Sequence, residues 1–98
     1  MRSYAVVWSG EEHTGSGGLV VRDDRFELCG RDEHVSILFS ELDGASIGRR
    51  RPDRLRGLPT LVLRARDGAP LRVASLEGAG VLYELAQHVE RAGLKVVA

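Results

Sequence analysis

The hydrophobic period changes once along this 98-residue chain, and that change limits the fold more than any other feature. Up to Ala74 the apolar residues come in short runs or alternate with polar ones. From there Leu82, Leu85, Ala86 and Val89 recur at the spacing of one helix face. A series of short strands must therefore end in a single amphipathic helix. The apolar stripe of that helix needs a sheet to bury against, so the length supports one mainly β domain, 1–98, with one C-terminal helix.

The strands are read from the runs and their breakers. Tyr4–Ser9 (YAVVWS) is apolar and β-branched, and ends at Gly10. Gly10–Gly18, with four glycines in nine residues, is expected to be a loop. Leu19–Arg22 and Phe26–Cys29 flank a turn at Asp23-Asp24, and Val35, Ile37 and Phe39 share one face by period-two alternation. Asp43-Gly44 marks a turn or bulge before Ala45–Arg50. Thr60–Arg66 and Leu71–Ala74 form a hairpin about Asp67-Gly68, a pair that tolerates positive φ. The helix is predicted from about Gly78 to Ala92, with Ser75 as N-cap, Glu77 in the first turn and Gly93 at C′, and with a short fraying tail over Lys95–Ala98.

Chemistry is sparse. Gly10 and Gly15 have the spacing of a phosphate loop, but Ser16-Gly17 stands where Lys-Ser/Thr is required, and Glu11 and Glu12 would repel phosphate. Ser16 is not a nucleophile elbow, because Thr14 occupies the glycine position. His13, His34 and His88 have no partner at metal-ligand spacing, and His88 stands four residues after Glu84 in a surface-pair position. Cys29 alternates away from Phe26 and Leu28 and reads as a half-buried filler. No catalytic residue, cofactor site or metal site is assigned, and the expectation is a protein that is not an enzyme.

Seven short strands followed by one helix, with LVLRARDGAPLRVASLEGAGVLYELAQHVERAG as the last two strands and capping helix and VSILFSEL as the strand before the midpoint, resemble the bacterial pleckstrin-homology-like (PH-like, GRAM-like) domains. The resemblance implies a barrel of about seven antiparallel strands in two sheets, capped by the helix, and a docking function. Phosphoinositide-binding members place basic residues on the first inter-strand loop; here that loop carries Glu11, Glu12 and His13.

Arginine usage marks one segment. Thirteen of the fourteen basic residues are arginine, which with abundant Gly, Ala and Val fits a GC-rich bacterial source. Arg49, Arg50, Arg51, Arg54 and Arg56 against Asp53 give net +4 over eight residues, so a chain of zero net charge carries −4 elsewhere. Guanidinium forks bind phosphate or carboxylate at two points. The functional expectation is an interaction or adaptor domain for a protein or peptide, a second copy included, through an exposed strand edge or the groove beside Leu82–Arg91. The alternative is an anionic ligand, an acidic lipid headgroup or nucleic acid, on the Arg49–Arg56 loop; no aromatic residue from Gly44 to Val81 offers bases a stacking platform there. A lone cysteine, no signal-like run after Met1 and no apolar segment of roughly 18 residues lead to the expectation of a cytoplasmic protein without a transmembrane segment.

Overall fold

The structure, a computed structural model, describes residues 3–97. Met1, Arg2 and Ala98 of the expected 1–98 domain lie outside the described residues. The apolar runs form β1 (Ser3–Ser9), β2 (Thr14–Val21), β3 (Arg25–Gly30), β4 (His34–Leu38), β5 (Leu42–Gly48), β6 (Thr60–Ala65) and β7 (Leu71–Ser75). The helix α1 (Ala79–Arg91) and a two-residue β8 (Val96–Val97) follow. The chain is thus mainly β with one C-terminal helix.

The expectation of seven antiparallel strands in two sheets is corrected. The eight strands form one curled sheet in the order β4-β3-β2-β1-β7-β6-β5-β8. β1 joins the halves because both of its edges are paired, to β2 along its length and to β7 from Val6 to Ser9. The tail does not simply fray: Val96 and Val97 pair with Ala45 and Ser46, parallel to β5.

The glycine-rich stretch is likewise strand from Thr14 onward, and the loop shrinks to Gly10–His13. Packing decides this against propensity. A Cβ at Gly15 would lie 2.9 Å from the Trp8 ring and one at Gly30 3.3 Å from it, while one at Gly17 would run into the Cys29 carbonyl. The missing side chains let two strands close over a fully buried indole. Phe39 leaves the predicted alternation for a 3-10 turn (Phe39–Glu41), yet stays buried edge-on against Phe26 at 4.9 Å. Asp43-Gly44 is a bulge within β5, which ends at Gly48 and leaves Arg49 and Arg50 outside the strand. Cys29 is exposed, since its face of β3 points away from the core that holds Phe26 and Leu28.

Helix α1 buries Val81, Leu82, Leu85, Ala86 and Val89 against β5, β6, β7 and β8. Its N-cap is Gly78, not Ser75: Ser75 ends β7 and its Oγ accepts the Glu77 amide at 3.0 Å. Glu77 lies before the helix and its carboxylate accepts the Ala5 N–H at 2.6 Å. Gly93, at φ +98°, closes the C-terminus, and its amide donates to Glu90 O at 2.9 Å. Tyr4 Oη donates to Glu84 at 2.9 Å, tying α1 to β1.

Candidate functional site

Two chemically marked regions sit at opposite ends of β5 and β6. At the Gly48/Thr60 end is the arginine loop, and at the Leu42/Ala65 end is an open groove.

The arginine loop is folded onto the outer face of the sheet. Alternation puts Leu61, Leu63 and Val73 in the core and leaves Thr60, Val62, Arg72 and Ala74 on the opposite face, where Thr60, Val62 and Ala74 are nevertheless buried. Asp53 holds the loop there. Its carbonyl accepts the Thr60 hydroxyl at 2.5 Å, and its carboxylate lies 3.4 Å from Arg72 Nη2. Gly48 makes room, since a Cβ there would sit 2.5 Å from Asp53 Cβ. Arg72 Nε is buried with no partner among the described residues.

With Asp53 turned inward, Arg49, Arg50, Arg51, Arg54 and Arg56 are all exposed, and none forms an ion pair with an acidic side chain among the described residues. Arg54 Nε donates to Arg49 O at 2.7 Å, and the Arg49 guanidinium stands 5.6 Å from the centre of the Tyr83 ring, a cation–π contact. The loop ends in a tight turn. Leu55 and Leu58 exchange amide bonds of 3.1 and 2.8 Å around Arg56 and Gly57, at φ +52° and +76°. Positive φ at both central residues is the geometry of a type I′ hairpin turn, so the loop tip is a small preformed finger.

The groove, about 340 Å³, runs between β4 and the β5–β7 corner. Leu42 and Leu63 are buried at its base, and Val35, Ile37 and Leu71 are part-exposed on its walls. Glu11, Glu12, Glu41 and Asp67 line it with His13, and no Lys or Arg among the described residues does. Arg31 and Arg66 stand in neighbouring turns, outnumbered by Asp32, Glu33 and Asp43.

One wall of the groove is an unpaired strand edge, because β4 pairs only with β3 among the described residues. The bonds Gly30 N to Glu33 O and Phe39 N to Asp24 O set the alternation. Odd-numbered residues face β3, so the N–H and C=O groups of His34, Ser36 and Leu38 point away from the sheet.

The loop beside the groove is braced. Glu33 accepts Trp8 Nε1 at 3.2 Å and holds His13 Nδ1 at 2.8 Å. The His13 hydrogen bond, then the Trp8 one, keep the Glu33 carboxyl below its ordinary value. A second cavity, about 430 Å³, lies at the C-terminal end of α1 between Tyr4, Val21, Phe39, His88 and Arg91; of the stretch Leu82–Arg91 only His88 and Arg91 line it.

The five arginines singled out in the sequence are together and exposed. The groove was missed, because its acidic residues come from three separate connections and only tertiary packing joins them. Gly15–Ser16, the failed phosphate loop, is strand. No cluster of three or more His, Cys, Asp or Glu residues able to hold a metal is present among the described residues, and no described helix is long and apolar enough to cross a membrane. No family model and no curated protein matches the chain.

Proposed function

We propose that this chain is a non-enzymatic docking domain of the PH-like kind that binds an extended peptide or protein segment. The observation that carries the reading is the free edge of β4 beside an apolar-based groove. An incoming strand would pair with the outward groups of His34, Ser36 and Leu38 and set alternate side chains against Val35, Ile37 and Leu71. The strand meander closed by one helix is in keeping with that kind of domain.

The test uses one backbone group. Ser36→Pro removes an outward N–H without removing a bond to β3. Extended peptides selected on the native protein should bind Ser36→Pro about tenfold or more weakly, with melting temperature little changed. Equal binding by Ser36→Pro, or failure to select any peptide, would sink the reading.

A second reading, an anionic ligand on the arginine loop, is favoured by the exposure of all five arginines without carboxylate partners among the described residues. Replacing all five by Ala should then abolish binding to acidic vesicles or RNA at low salt. Absence of binding by the parent protein removes this reading.

A further inference from the structure

The charge of this molecule is separated along its own strands. A loop of net +4 occupies one end of β5 and β6, while four carboxylates and, among the described residues, no Lys or Arg line a groove at the other. The six residues of β6 span about 20 Å between them, beyond the roughly 10 Å over which salt at 0.1 M screens exposed charges. Intramolecular neutralisation is therefore weak, and each end keeps its own field.

The two ends also match in form. The arginine loop is anchored through Asp53 and finishes in the Leu55–Leu58 turn, so it is an ordered surface element and loses little freedom on docking. The groove presents part-exposed Val35, Ile37 and Leu71 below Glu11, Glu12, Glu41 and Asp67. A carboxylate rim over an apolar base suits arginines flanking a leucine, and Leu55 stands between Arg54 and Arg56. Zero net charge removes the overall repulsion that would keep copies apart.

We propose that the groove takes the arginine finger of a second copy of this chain, so that molecules associate head to tail. This rests on the reading of the groove as a docking site and names its partner. The contact is heterologous: each copy offers one finger and one groove, and growth continues until a ring closes or a chain ends. Its charged groups meet at an open, solvated groove, so the association should weaken as salt rises.

Sedimentation of the full chain tests it with two neutralised variants. One carries Glu11→Gln, Glu12→Gln and Asp67→Asn in the groove; the other carries Arg51→Gln, Arg54→Gln and Arg56→Gln in the finger. The parent's average mass should rise with concentration at low salt to twice the monomer or more, and return to monomer at high salt. Each variant alone should stay monomeric. An equimolar mixture should form dimers that stop there, because the intact finger of one fills the intact groove of the other and both remaining surfaces are spoiled. A parent that stays monomeric at low salt, or variants that associate like the parent, would overturn the proposal. A synthetic peptide spanning residues 49–58 separates the two readings. If it binds the groove while the whole chain stays monomeric, the second-copy partner is wrong and the docking site stands. If neither it nor the selected peptides bind, both fail.

Discussion

At the Gly48/Thr60 end of the curled sheet, α1 seals the core with Leu82, Leu85 and Val89, and the arginine loop is strapped over the outer face by Asp53. At the Leu42/Ala65 end no helix covers the sheet; Val35, Ile37 and Leu71 stay part-exposed and carboxylates ring the opening. The same strands serve both ends. The difference teaches that stability is concentrated where apolar contacts are complete, while the end left incomplete keeps unpaired backbone and apolar surface for a partner.

The sharpest way to break this comparison is to truncate one leucine at each end. Leu85→Ala, at a fully buried position, should cost about 2–5 kcal/mol in urea unfolding, and Leu71→Ala, on the groove wall, well under half of that. Equal losses would show that the groove end is as tightly packed as the helical end. Next in size is the close approach of β2 to β3 at Gly17. Gly17→Ala puts a methyl into the Cys29 carbonyl and should destabilise by about 1–3 kcal/mol, while Gly44→Ala, with open space around it, should change stability by less than about 0.5 kcal/mol. Thermal melts of the pair check this directly.

A smaller effect is expected from releasing the finger. Asp53→Ala removes the carboxylate facing Arg72 and should cost about 1 kcal/mol. Its clearer signature is faster tryptic cleavage after the loop arginines. Unchanged cleavage would mean that Thr60 and the Leu55–Leu58 turn suffice to order the loop.

The smallest effect concerns Glu33. Its carboxyl is held below its ordinary 4.5 by His13 and Trp8, so the stabilisation is present above that value and is lost as pH falls through the lowered folded-state value. Glu33→Gln should flatten the acid side of the stability profile below about pH 4.5. Trp8, the sole tryptophan, should report the same transition by fluorescence in the parent and not in the variant.

How far these features were legible in the sequence differs element by element. The helix stripe Leu82, Leu85, Ala86, Val89 was readable because a 3.6-residue period on a short chain has one physical meaning, and all four residues are buried. The Asp67-Gly68 hairpin was readable from turn chemistry. Thr14–Gly18 was misread as loop because glycine weakens a strand in isolation; its value appears only when Trp8 from another strand needs the space. Ser75 was misread as a cap because its hydroxyl was free to serve a neighbouring amide, and β7 runs one residue further than the apolar run suggested. The arginine cluster was plain, but Asp53 looked like a neutralising charge and acts as the loop's anchor.

Local order was therefore determined by the sequence alone: short strands, one closing helix, a basic segment and no long apolar span, each set by spacing or composition within a few residues. Tertiary structure decided the rest. It made one curled sheet of the expected two, because β1 can pair on both edges. It recruited Val96–Val97 as an edge strand and gathered Glu11, Glu12, Glu41 and Asp67 around one groove. Those outcomes depend on which edges meet and which side chains share a cavity, relations between residues distant in sequence that no local period encodes.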